Sequence, residues 1–311
     1  MREACLARAG HGVLTPMNPY FATKFFPASL TLAEEEGIGW CRIGKVGTTA
    51  WSALFLLMRE VPLATIRAAV ANLTAHDLLK QKYPSRPSER MHMIRGEHGR
   101  DYFSFLVVRH PFVRLVSAYR DKLESLTEYN VRYHITDGPR MTSRRVFNSS
   151  VADNPTFPEF VDYLIRTPPN LMDKHWAPYS KVKDLYISGY LTYKMKPQVC
   201  IPCNISYSAV LKLETLEEDA DWLFRKLNLT RLRSDWDSLA GLNKKTGEED
   251  GEGRVHGGPG GNGGAPSQTV AGKYFSQISR ENITRLYEKY QVDFQMFGYE
   301  DQVQEYVDLG F

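Results

Sequence analysis

Two short segments of the 311-residue chain carry residue types suited to gripping phosphate. The first is Lys45-Val46-Gly47-Thr48-Thr49. Glycine lets a backbone come close to an anion, threonine hydroxyls donate hydrogen bonds, and lysine adds a point charge. A helix beginning here would add free N–H groups and the positive end of its dipole. The order of residues is not that of a Walker A loop, which ends in Gly-Lys-Ser/Thr after a four-residue spacer. The second segment runs from Arg109-His110-Pro111 to Ser117, with Arg114 one helical turn before the serine. An arginine at a strand end can hold a phosphate with two parallel bonds. Each segment has a plainer reading, a strand–helix turn and a basic amphipathic helix. Together they predict a ligand with two separated phosphates.

General-base chemistry has its own candidates. His175, followed by Trp176, is the first, because the ordinary histidine pKa lies near neutrality. A packed His–Trp pair is the alternative. Glu89, His92, Glu97 and His98 are further candidates, and Trp176, Tyr133, Arg140, Arg144 and Arg145 are candidates for holding an acceptor. No acidic cluster suited to a metal stands out, so no metal is expected.

Four cysteines occur, Cys5, Cys41, Cys200 and Cys203. The pair Cys200-Ile201-Pro202-Cys203 reads as a disulfide, a redox motif or half a metal site. A structural disulfide is preferred, because Asn-x-Ser/Thr sequons at Asn72, Asn148, Asn204, Asn228 and Asn282 lean towards a lumenal protein.

The elements that must position these residues follow from periodicity. Residues 1–36 read as an irregular lead-in. A short strand over 39–43 precedes the first segment, and an apolar helix runs from Thr49 to about Met58. A second helix is expected over 63–79, with Leu63, Ile66, Val70 and Leu73 on one face. The run 102–108 is a buried strand of a parallel sheet, ending at Arg109. Pro111 suits the first turn of a helix reaching about Leu123. A helix over 157–166, a strand over 207–213 and a helix opened by a capping box at Thr215 follow. The glycine-rich stretch 247–266 reads as a surface loop, and a last helix follows Ser279. Strand–loop–helix occurring twice makes the fold class α/β, with a central parallel sheet flanked by helices.

Composition is that of a soluble globular chain, with 42% hydrophobic and 24% charged residues. A net charge of +3 gives no reason to expect nucleic acid. The longest apolar run, around Trp51–Met58, is far below the roughly 20 residues of a membrane span.

Lys45-Val46-Gly47-Thr48-Thr49-Ala50-Trp51 resembles the 5′-phosphosulfate loop of sulfotransferases, and Arg109 through Ser117 resembles their 3′-phosphate motif. Further landmarks resemble the Golgi carbohydrate sulfotransferases, the branch with chondroitin and dermatan 4-O-sulfotransferases. They are His175-Trp176-Ala177-Pro178, Cys200-Ile201-Pro202-Cys203, Lys212 through Asp219, Tyr274-Phe275-Ser276 and Asp293 through Tyr299. The likeness covers about Cys41 to Glu300. The chain departs from the family in an apparent insertion near 179–198 and in the long glycine-rich loop.

The resemblance implies a single P-loop-like sulfotransferase domain over 37–311. It implies 3′-phosphoadenosine-5′-phosphosulfate (PAPS) as co-substrate and an anionic glycan, such as chondroitin or dermatan, as acceptor. Lys45, Val46, Gly47, Thr48, Thr49, Arg109 and Ser117 would hold the donor, with Lys45 and His175 catalytic. A type II Golgi protein, with its lumenal domain held by an N-terminal anchor that this chain lacks, is expected for the full-length form. A P-loop nucleotide kinase and an inactive glycan-binding protein on the same fold are the alternatives.

Overall fold

The structure, a computed structural model, describes residues 30–84, 102–124, 155–169, 172–179, 200, 202, 207–242 and 270–311. In chain order these form β1 (Leu30–Ala33), β2 (Ile38–Cys41), α1 (Thr48–Met58), α2 (Leu63–Ala71) and α3 (Ala75–Lys82). Then come β3 (Phe103–Val108), α4 (Pro111–Lys122), α5 (Phe157–Arg166) and β4 (Ala209–Lys212). The last are α6 (Leu216–Lys226), α7 (Arg233–Leu242), α8 (Val270–Phe275), α9 (Arg280–Phe297) and α10 (Val303–Leu309). The chain divides into two compact units. A sheet unit spans Thr15–Arg109 and Lys196–Gly261, and a helical unit spans Met1–Leu14, His110–Met195 and Asn262–Phe311.

In the sheet unit the strand order is β1-β2-β3-β4. β2, β3 and β4 run parallel, with Cys41 beside Leu106 and Val108 beside Lys212. β1 pairs antiparallel with β2. This strand lies inside the stretch read as an irregular lead-in. Its four residues are too short for a periodicity signal, and the turn at Gly37, with φ +67°, folds it back on β2. The sheet is therefore mostly, not wholly, parallel.

Helix α1 is buried on all sides from Ala50 to Met58, which explains its continuous apolar run. Trp40 of β2 stacks on Phe55, Trp51 meets Phe105 of β3 edge-on, and Trp51 also contacts Trp236 of α7. Trp236 donates to the Ala50 carbonyl at 2.8 Å. Each such buried side chain contributes roughly 1.5–3 kcal/mol, and together they fix α1 against the sheet.

Three local expectations need correction. The helix expected over 63–79 is two helices, because α2 stops at Asn72 and Leu73 takes φ +57°. The Leu73 and Thr74 amides then donate to the Val70 and Ala69 carbonyls, a Schellman ending that turns the chain. Leu73, expected on the core face, is 74% exposed. The capping box expected at Thr215 does not form. The Thr215 backbone is not extended, and its hydroxyl donates to Asp219, which also accepts from the Lys212 amide. A complete capping box instead opens α5, between Thr156 and Glu159. Finally, Cys200 pairs with Cys41 rather than with Cys203. The bond closes 159 residues of sequence and lies in the core, joining the end of β2 to the approach to β4. Cys5, Cys203 and the 247–266 loop lie outside the described residues, as does the 179–198 insertion except Tyr179.

The helical unit is built around α4 and α9. Phe112 of α4 packs on Phe275 and Phe294, while Tyr119 packs on Phe157 and Phe160. Pro111 occupies the first turn of α4, as its fixed φ predicts. Ser279 caps α9, accepting from the Asn282 amide, and Gly298 ends that helix at φ +65°. Among the described residues no helix is long and apolar enough to cross a membrane.

Candidate active site

In the sheet unit the first phosphate-type segment joins β2 to α1. Lys45 and Gly47 both have left-handed backbones, at φ +71° and +73°. Glycine takes this conformation freely, whereas lysine pays about 1–2 kcal/mol. Strain of this kind persists where the surrounding structure over-determines it, which happens at ligand sites. Val46, between them, is fully buried and anchors the loop. A Cβ on Gly47 would lie 3.1 Å from Leu213 Cδ1, just after β4, so the loop sits tightly against the carboxyl end of β4, two strands away from β2.

Helix α1 begins at Thr48 with no side-chain cap. The Ala50 and Trp51 amides donate to the Gly47 carbonyl, and the helix start carries the positive end of the dipole. Thr48 donates its hydroxyl to the Ile43 carbonyl at 2.6 Å, so it braces the loop, while Thr49 is half-exposed. Lys45 is also half-exposed. Arg109 follows β3 directly and is 8% exposed. Because β2 and β3 are parallel neighbours, Lys45–Thr49 and Arg109 both leave the carboxyl end of one sheet. That is where open α/β sheets place their ligands.

Ser117 and His175 belong to the helical unit. Ser117 is half-buried on α4. Three residues earlier, Arg114 is 1% exposed and holds the turn that carries His175. Its guanidinium donates to the Ala177 carbonyl at 3.0 Å and the Lys174 carbonyl at 3.1 Å, and stacks over the Tyr179 ring at 4.2 Å. From α9, Tyr290 donates to the Trp176 carbonyl at 2.5 Å, and Asp293 accepts from the Tyr179 amide at 2.6 Å. Thus Tyr179, placed by sequence at the edge of an insertion, is an ordered part of this turn. Trp176 is a core residue, the plainer of its two readings.

His175 itself is not simply packed on Trp176. Its side chain is 16% exposed, and its Nδ1 lies 2.6 Å from Asp173 Oδ1. The same oxygen accepts from the His175 amide at 2.9 Å. A carboxylate only accepts, so this bond assigns the proton to Nδ1 and makes Nε2 the basic nitrogen of the ring. Burial holds the imidazole below the ordinary histidine value. The Asp173 carboxylate opposes that shift, and the charges of Lys122 and Lys174 add to it. The net effect favours neutral imidazole near pH 7, the form that takes up a proton.

Asp173 escaped the sequence reading, although an acid two residues before a histidine is a legible signal. Arg114 was visible, but its structural task was not, because its partners are main-chain carbonyls about 60 residues away. Glu89, His92, Glu97, His98, Tyr133, Arg140, Arg144 and Arg145 lie outside the described residues. Among the described residues no cluster of three or more His, Cys, Asp or Glu is arranged to hold a metal.

Residues 29–187 and 191–300 match the family described as Sulfotransferase family. Carbohydrate sulfotransferase 10 of Xenopus laevis is 25% identical over 302 residues, 97% of this chain and 74% of the relative. The protein of that name from Danio rerio is 28% identical over 280 residues, 89% and 67% of the two chains. Carbohydrate sulfotransferase 11 of Rattus norvegicus is 29% identical over 279 residues, 87% and 66%. No solved structure matches the chain.

The Arg114 clamp generates a stability prediction. Arg114→Met keeps most of the apolar stem but strips two buried carbonyls of their donor, at a cost of about 2–3 kcal/mol. The urea midpoint of the variant should fall accordingly, and an unchanged midpoint would contradict the clamp.

Proposed function

The chain belongs to the sulfotransferase family, and from that premise we propose that it moves a sulfuryl group from PAPS to a hydroxyl of a glycan. Proposed acceptors are glycosaminoglycans such as chondroitin or dermatan, and the proposed setting is the Golgi lumen. The observation that carries the donor half is the pairing of β2 with β3. It puts the strained Lys45–Gly47 loop, a helix start without a side-chain cap and Arg109 at the carboxyl end of one sheet. The relatives named carbohydrate sulfotransferases support the acceptor class.

Val46, Gly47, Thr48 and Thr49 present backbone to the 5′-phosphate, with the N–H groups at the start of α1 as donors. Arg109 and Ser117 take the 3′-phosphate, Arg109 through charge-assisted bonds. The acceptor oxygen attacks sulfur in line, the bond from sulfur to the phosphate oxygen breaks, and adenosine 3′,5′-bisphosphate leaves. Negative charge grows on the leaving oxygen. Lys45 is assigned to that charge, the kind of preorganised stabilisation that supplies most of the rate in group transfer. His175 Nε2 receives the acceptor's proton, and Asp173 stabilises the resulting imidazolium through Nδ1. No step assigned to these residues needs a metal.

Two measurements test the assignments. In equilibrium binding with adenosine 3′,5′-bisphosphate, Arg109→Ala should lose roughly 1.5–3 kcal/mol. Lys45→Ala should bind the same product nearly as well as the parent yet turn over far more slowly. Unchanged product affinity in the Arg109 variant would remove Arg109 from the donor site.

The pH dependence follows from the histidine environment. Activity should rise with pH through the His175 pKa, which lies below the ordinary value, and then level. Asp173→Asn removes a group that raises that pKa, so the acid limb should move to still lower pH while kcat drops. His175→Ala should keep product binding, lose most turnover and lose the acid limb. An Asp173→Asn profile identical to the parent in position and height would exclude the pair from catalysis.

A further inference from the structure

The buried Cys41–Cys200 bond and the turns that end two helices bear on sequons to which the proposed reaction assigns no role. Disulfides inside a folded core form where the chain passes through an oxidising compartment. In the secretory lumen, Asn-x-Ser/Thr sequons meet a transferase that adds oligosaccharide, provided that the folded chain can leave the asparagine in water. Three of the five sequons fall in the described residues, and their surroundings differ.

Asn72-Leu73-Thr74 forms the corner between α2 and α3. All three residues are exposed, and Asn72 is the last residue before the left-handed Leu73. Asn228-Leu229-Thr230 repeats the arrangement after α6. Asn228 is itself left-handed at φ +55°, and its amide and that of Leu229 donate to the Arg225 and Phe224 carbonyls. Leu229 is buried and anchors that turn, while Asn228 and Thr230 on either side are exposed. Asn282-Ile283-Thr284 is different. It lies in the first turn of α9, Asn282 is half-buried, Ile283 is in the core, and the Thr284 hydroxyl donates to the Arg280 carbonyl at 2.9 Å.

We propose that Asn72 and Asn228 are N-glycosylation sites, and that Asn282 is not. At each site the Asn Nδ2 attacks the anomeric carbon of an oligosaccharide carried on a polyprenyl diphosphate. The Nδ2–C1 bond forms, the bond from C1 to the phosphate oxygen breaks, the amide gives up one proton, and the polyprenyl diphosphate leaves. Both asparagines terminate helices in Schellman turns, so a glycan there projects from a corner and disturbs no helical face. At Asn72 it also shields the exposed Leu73 side chain from water. The proposal does not depend on the sulfuryl-transfer reading, since it stands on the disulfide and the two turns.

The test is to express the chain behind a secretion signal in a eukaryotic host. Peptides are mapped by mass spectrometry before and after peptide:N-glycosidase, which leaves aspartate where a glycan was attached. The same map reports the Cys41–Cys200 linkage. The expected result is the oxidised pair together with aspartate at 72 and 228 and asparagine retained at 282. Asn72→Gln and Asn228→Gln should each remove one glycan step on a gel, and the double variant two. An oxidised protein with neither site occupied would overturn the proposal. So would a glycan at Asn282, or secreted protein in which Cys41 and Cys200 remain reduced.

Discussion

The parallel pairing of β2 with β3 is the constraint on which the rest of the sheet unit depends. With Cys41 beside Leu106, β3 runs two residues past the end of β2, and the chain leaves both strands at the same carboxyl end of the sheet. One exit becomes the Lys45–Thr49 loop and the other becomes Arg109. Everything packed below serves this register. The Trp40, Phe55, Trp51, Phe105 and Trp236 cluster holds α1 on the sheet, which fixes where its N-terminus points. The Cys41–Cys200 bond tethers the last residue of β2, four positions before Lys45, to the segment leading into β4. A loop that carries a left-handed lysine needs such bracing, because nothing in the local sequence would hold it.

The helical unit applies a different device to a similar problem. The turn over 172–179 has little regular structure of its own, so its carbonyls find donors from outside. Arg114 supplies two of them and Tyr290 a third, while Asp293 takes the Tyr179 amide. Inside that frame Asp173 fixes the His175 ring. A buried arginine bound to main-chain oxygens is an expensive choice for stability alone. It makes sense where a histidine must be held in one orientation.

Much of this was legible in the sequence, for identifiable reasons. The run Phe103–Val108 is long and apolar enough to declare a strand, and Pro111 and Ser279 mark helix starts by their own chemistry. The Lys45–Thr49 loop was visible through residue types. What was hidden depends on partners distant in sequence. β1 has four residues and gains its stability from β2. The Leu63–Leu79 periodicity continued through a helix break because Leu73 adopted a conformation that periodicity does not encode. The Cys200 partner lies 159 residues upstream, whereas Cys203 stood close enough to mislead. The capping signal at Thr215 failed because Asp219 captured the threonine hydroxyl and the Lys212 amide together.

The central claim is that the carboxyl end of the sheet is built for a nucleotide carrying two separated phosphates, without a bridging metal. Titration calorimetry of the chain in chelator, with adenosine 3′,5′-bisphosphate, ATP and desulfated chondroitin in turn, addresses it directly. The account predicts saturable, salt-sensitive binding of the bisphosphate in chelator, clearly tighter than that of ATP. Binding of ATP alone, and only after magnesium is restored, would contradict it. So would heat from the glycan with none from the bisphosphate.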